Sequence, residues 1–163
     1  MSINIIAAIG KNRELGNNGK LLWSIPDDMA HFKKLTESKT VVMGHTTWRS
    51  IPKRFRPLVN RYNIVISRDK KLKLDGAIVR HSLNDALDTA KSNNNSDIYI
   101  IGGAQIYSQS LLIADFLYLT IVEENFSDAD VFFPEYKHLF SDIISEQKSS
   151  DANYSYSFIK LAR

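Results

Sequence analysis

A chain of 163 residues, 44% hydrophobic and 24% charged, has the size and apolar content of one domain with a substantial core, expected to span residues 1–163. It contains no cysteine, which excludes disulfides, thiolate metal sites and cysteine nucleophiles and fits a reducing cytoplasm. The net charge of +3 is unevenly spread: between Arg49 and Lys73 nine basic residues stand against one acid, Asp69, while the stretch from Glu123 to Asp151 is acidic.

In chain order, "INIIAAIG" is a continuous apolar run that reads as a strand buried on both faces. It is too short, and too poor in flanking positive charge, for a signal peptide or a membrane span. The Gly- and Asn-rich "KNRELGNNGK" reads as a mobile loop. "LLWSIPDDMAHFKKL" then carries an S-x-x-D capping pattern from Ser24, with Pro26 early in the first turn, so a helix is expected to begin near Ile25. Asp27 and Asp28 both suit the positive end of that helix. Helical spacing separates them. Asp28 shares a face with His31, Phe32 and Leu35, whereas Asp27 shares one with Ala30, His31 and Lys34 and points to water. A carboxylate among apolar neighbours needs a partner, and a neighbouring strand or a ligand would serve equally.

"TVVMG" is a second buried strand, followed by a short helix or turn, "HTTWRSI". "YNIVIS" and "AIVR" are strands, and "SLNDALDTAK" is a helix with Ser82 as a cap and Ala86, Leu87 and Ala90 on one face. "SNNNSD" is a polar turn, "IYIIGG" a buried strand, "AQIYSQSLL" a helix and "DFLYLTIV" a strand. From about Ile143 the tail alternates apolar and polar residues, the pattern of a terminal antiparallel hairpin. The fold class is therefore α/β: a mainly parallel central sheet with flanking helices and a C-terminal antiparallel hairpin. In such a sheet ligands bind at the carboxyl ends of the strands, where "GHTTW", "SRD" and "GGAQ" all fall. Gly102–Gly103 and Gly44–Thr47 each precede a helix start, a setting that favours anions, and Arg68 offers a further charged contact. Neither stretch is a standard dinucleotide or Walker fingerprint, and a tight turn accounts for each in isolation. The basic residues, taken singly, read as a solvated face; together they favour a small anionic ligand over nucleic acid.

In this order the segments "IIAAIG", "GNNGKLLWSIPDDMAHFK", "VVMGHTTWRSI", "RPLVNRYNIVIS", "IYIIGGAQIY" and "LYLTIVEENFSDADVFFPEY" resemble dihydrofolate reductase along essentially the whole chain. The resemblance implies hydride transfer from NADPH to the imine carbon of dihydrofolate, a step that supplies one-carbon metabolism and is an antifolate target. It implies that Asp28 holds the pterin, that Thr120 supports Asp28, and that Leu21 lies on a loop closing over the site. Ile6, Ala7, Met29, Phe32, Ile51, Leu58 and Ile101 would line the substrate pocket, and Arg61 would meet the glutamate tail. On the cofactor side it implies Ala8, Leu15, Gly16, Asn17, Gly44, His45, Thr46, Thr47, Ser67, Arg68, Ile101, Gly102, Gly103, Ala104, Gln105, Ile106 and Tyr107. No metal is implied. A cytoplasmic monomer acting on a small molecule, without nucleic acid or membrane, is the matching expectation.

The sequence departs from the family pattern at Leu22 (often Pro), at His45 (commonly Arg), in "RPLV" (commonly "RPLP") and at Ala129 (frequently Gly). His45 makes the preference for NADPH over NADH lean on Arg68, because histidine is mostly neutral at neutral pH. Two rival readings are a pyrimidine reductase of riboflavin synthesis and a nucleic-acid-binding module. Neither requires Asp28, and the first does not require Arg61.

Overall fold

The computed structural model describes residues 1–93 and 97–163, so residues 94–96, part of the expected polar turn, lie outside the described residues. An eight-stranded sheet forms the centre. Its strands are β1 (Ile3–Gly10), β4 (Thr40–Gly44), β5 (Tyr62–Ile66), β6 (Ile78–Arg80), β7 (Ile98–Ile100), β8 (Phe116–Val122), β10 (Asp142–Ser150) and β11 (Ser155–Ala162), in the order β10-β11-β8-β1-β7-β4-β5-β6. From β8 to β6 every pairing is parallel, and β11 and β10 add antiparallel to one side. The terminal hairpin thus forms as the alternation of the tail predicts.

Alternate residues of the parallel strands enter two different cores. Ile5, Ala7 and Ile9 of β1, with Val42, Ile64, Ile98 and Ile100, pack with α3 (Leu83–Ser92) and α4 (Ala104–Ser110). Ile6, Val41, Met43, Val65 and Tyr99 pack on the other face around Trp48 of α2 (His45–Ser50). A strand covered on both sides has no polar face, which is why these runs read as unbroken apolar stretches. Each such Ile, Leu or Val removed from water contributes about 1.5–3 kcal/mol.

The structure differs from the sequence expectations at three places. The stretch after β1 is not an irregular loop: β2 (Glu14–Asn17) pairs with β3 (Lys20–Leu21) and with β9 (Val131–Phe132) in a second, three-stranded antiparallel sheet. The pairing with β9 spans more than a hundred residues, so nothing local announces it. Helix α1 (Pro26–Thr36) is capped by Ile25 with no side-chain bond, so Ser24 does not cap it. By contrast, Ser82 does cap α3, accepting from the Asp85 N–H at 3.1 Å. Finally, "IYIIGG" ends as a strand at Ile100, because the glycine pair turns the chain toward α4.

Candidate active site

The site lies where β1, β4, β5, β7 and β8 end. On one side α1 presents Asp28, half-buried, and its Oδ1 accepts a hydrogen bond from Thr120 Oγ1 of β8 at 2.6 Å. Burial raises the pKa of Asp28 and the Thr120 bond opposes that rise. The strand partner anticipated as one way to satisfy this acid is therefore present, and the carboxylate's second oxygen is left for another donor. Asp27 is exposed but also partnered: Tyr156 Oη donates to its Oδ2 at 2.9 Å. Its exposure agrees with the helical spacing, and the Tyr156 bond is a contact that spacing does not show.

Phe32, Ile51, Leu58 and Ile101 pack partly buried against the cluster that contains Ile6 and Trp48, so these five pocket candidates meet in one apolar surface. Ala7 is buried on β1, but its side faces the other core. Met29, on α1, and Leu21, on β3, are more than half exposed, at 60% and 67%. Arg61 is fixed beside α1: Nη1 donates to Val59 O at 2.6 Å, Nη2 to Lys33 O at 3.3 Å, and Nε to Thr36 Oγ1 at 3.2 Å. No described carboxylate lies within ion-pair distance of Arg61, and its pKa is lowered by burial, against which the charge of Glu37 works. A guanidinium held in place, partly desolvated and with no described carboxylate within ion-pair distance favours a carboxylate ligand.

On the other side, β4 and β7 bring two glycine stretches together. Gly44 N–H donates to Gly102 O at 2.8 Å, and the Gly102–Gly103 peptide is cis. Gly102 has φ +120°, a region that side chains avoid, and a Cβ there would lie 3.2 Å from Tyr107 Oη and 3.4 Å from Thr47 Oγ1. At Gly103 a Cβ would meet Thr47 Oγ1 at 3.3 Å. The pair is glycine because the hydroxyls of Tyr107 and Thr47 stand where side chains would project. His45 and Thr46 begin α2, and Ala104, Gln105 and Ile106 begin α4. Ser67 and exposed Arg68 follow β5, with Ser67 O accepting contact from His81 Nδ1 at 2.9 Å. Ala8 sits half-buried on β1, and Leu15, Gly16 and Asn17 half-buried on β2.

Tyr107 joins the two sides. Its buried hydroxyl donates to Ile6 O at 2.8 Å, and its pKa is raised by burial and then by the charge of Asp28. A reading of the sequence that places Tyr107 only with the cofactor residues misses this bond to β1. Glu14 was missed altogether. It is a buried carboxylate, and no run or motif around it distinguishes it from the surface acids.

Residues 2–163 match the family model described as dihydrofolate reductase. The chain belongs to the dihydrofolate reductase family. It is 39% identical over 165 residues to the dihydrofolate reductase of Buchnera aphidicola from Acyrthosiphon pisum, covering 98% of this chain and 99% of that one. It is 36% identical to the enzyme of Bacillus subtilis (96% of this chain, 92% of the relative) and 37% identical to the type 3 enzyme of Salmonella typhimurium (100% and 99%). The structure of dihydrofolate reductase from Enterococcus faecalis complexed with NADP(H) and RAB-propyl superposes with a TM-score of 0.89 at 27% identity, covering 99% of this chain and 96% of that one. The family's mixed sheet, parallel in the centre with antiparallel strands at the C-terminal side, is the architecture described above. Among the described residues no helix is long and apolar enough to cross a membrane.

Proposed function

We propose that Asp28 anchors the pterin ring in the reaction of this family, the NADPH-dependent reduction of 7,8-dihydrofolate to 5,6,7,8-tetrahydrofolate. The observation that carries the assignment is the Asp28–Thr120 pair: one carboxylate, half out of water, with one oxygen engaged at 2.6 Å and the other available. A carboxylate in that state accepts two parallel hydrogen bonds from an amino group and an adjacent ring nitrogen, the planar donor pair a pterin offers. Its negative charge makes the ring more basic, which favours protonation of the ring nitrogen beside the imine carbon. Asp28 holds and polarises the ring, and a water is the immediate proton donor.

The remaining residues divide by chemistry. Ile6, Phe32, Ile51, Leu58 and Ile101 enclose the ring in apolar surface, with Ala7 contributing backbone and Met29 covering the open side. Arg61 pairs with a carboxylate of the glutamate tail. Bound NADPH supplies the hydride. Gly102 and Gly103, side-chain-free backbone at the start of α4, are assigned to that cofactor, and Gly44, His45, Thr46 and Thr47 to its phosphates. Ser67 and Arg68 are assigned to the adenosine end, and Ala8, Leu15, Gly16, Asn17, Ala104, Gln105, Ile106 and Tyr107 to its flanks. Leu21, exposed at the end of β3, is assigned to covering the site and excluding bulk water, which strengthens the electrostatic interactions inside. Residues 1–163 act as one domain, in the cytoplasm, as a monomer that takes a small molecule rather than nucleic acid or membrane.

The test offers NADPH with dihydrofolate and, separately, with a ribosylamino-pyrimidine, and follows loss of NADPH absorbance. Turnover with dihydrofolate that falls when Arg61→Ala removes the tail contact, chiefly as a rise in KM, supports the assignment. Turnover with the pyrimidine alone overturns it.

A further inference from the structure

Glu14 is 2% exposed, yet the reaction as described makes no use of it. Buried carboxylates are expensive unless satisfied, so its partners deserve a physical reason. Its Oε2 accepts the Asn12 N–H at 2.8 Å, in the turn between β1 and β2. Its Oε1 accepts the Phe126 N–H at 3.1 Å, in the segment between β8 and β9. One side chain therefore grips two loops that are 112 residues apart. The same loops also touch through Lys11 N–H to Glu124 O at 3.1 Å and Asn12 Nδ2 to Asn125 Oδ1 at 3.0 Å. Burial by itself pushes the Glu14 pKa up, but the bonds from the N–H groups of Glu14, Phe126 and Asn12 outweigh it and hold the carboxyl below the usual range.

The space for this carboxylate is made by Gly10. A Cβ on Gly10 would collide with Glu14 Oε2 and would stand 2.9 Å from the Phe126 ring. The Phe126 ring in turn packs on Trp23, with centroids 5.0 Å apart. Trp23 is buried and lies in the chain between Leu21, the end of β3, and the start of α1, five positions before Asp28. Glu14 is also the first residue of β2, whose next residues, Leu15, Gly16 and Asn17, are the ones assigned above to the flanks of the cofactor.

From this chain of contacts we infer that Glu14 is a positioning residue: its carboxylate ties the β1–β2 turn to the Phe126 segment, and through Phe126 and β2 it sets the seating of Trp23 and of the strip that retains NADPH. It touches neither substrate nor cofactor. The inference rests on the NADPH-dependent reading of the site.

The experiment uses the full chain with Trp48→Phe, so that Trp23 is the one fluorescent indole. Glu14→Gln presents an N–H where an acceptor is needed, Glu14→Val removes both bonds, and Gly10→Ala displaces the carboxylate without removing it. Leu161→Ala, in a buried position at the opposite end of the sheet, is the control for general loss of stability. NADPH dissociation is followed by stopped-flow, Trp23 emission at equilibrium, and melting in parallel. Expected are about tenfold faster NADPH dissociation in all three site variants, the scale of a lost charge-assisted hydrogen bond, and a shifted Trp23 emission maximum. Leu161→Ala should melt earlier and change neither. Glu14 variants that fold and release NADPH at the parent rate would overturn the inference, as would a control that reproduces their changes at equal loss of melting temperature. A parent protein that neither binds NADPH nor turns over would instead overturn the functional reading.

Discussion

Asp28 is held between two opposing effects, and its chemistry depends on their balance. Burial raises its pKa while the 2.6 Å bond from Thr120 resists the rise. Thr120→Val removes only the resisting part. The acid limb of the kcat/KM profile should then move to higher pH, and kcat/KM at neutral pH should fall about tenfold, the usual scale for a lost hydrogen bond to a charged group. A profile measured from acid to neutral pH on both proteins checks this. Gly102→Ala addresses the cofactor side. At φ +120°, beside Tyr107 Oη, a methyl is both strained and crowded. Such a residue costs on the order of 1–3 kcal/mol, and weaker NADPH binding by titration is the expected result. These two residues were legible in the sequence for different reasons. Helical spacing selected Asp28 over Asp27, and a glycine pair between strand and helix is visible as such. Tyr107's bond to Ile6 O was not legible, because it joins residues 101 positions apart.

At the scale of elements, two serines test the difference between a pattern and a contact. Ser82 bonds the Asp85 N–H, and Ser82→Ala should lower stability by about 1 kcal/mol. Ser24 fits the same sequence pattern but makes no cap bond, and Ser24→Ala should leave stability within about 0.5 kcal/mol. Denaturant melts of both variants decide the comparison, and activity should be unchanged in each. The capping pattern misleads at α1 because Pro26 supplies the first turn without an N–H to satisfy, so the need for a side-chain cap is reduced. The small sheet of β2, β3 and β9 was hidden for another reason. Its strands are two to four residues long, too short for a period, and β9 arrives from the far end of the chain. The central strands were legible because burial on both faces leaves an unbroken apolar run, the strongest signal a short segment can give.

Across the whole molecule, the site costs the fold some stability. The folded pKa of Asp28 lies above its unfolded value. Its favourable contribution is therefore complete below the unfolded pKa and is lost as pH rises through the folded one. Near neutral pH the ionised group is a burden, so Asp28→Asn should melt at a higher temperature than the parent there. That advantage should shrink as pH falls into the ordinary carboxylate range. Melting curves at neutral and acid pH measure both parts. The same variant gives the most direct test of the function. NADPH absorbance is followed with dihydrofolate for the parent chain and for Asp28→Asn across pH. The expected result is robust parent turnover at neutral pH and a loss of about a hundredfold or more in the variant, within the range for removing a group that assists proton transfer. Partial recovery should follow at low pH, where the substrate arrives already protonated. Equal turnover of the two proteins at neutral pH would contradict the role given to Asp28.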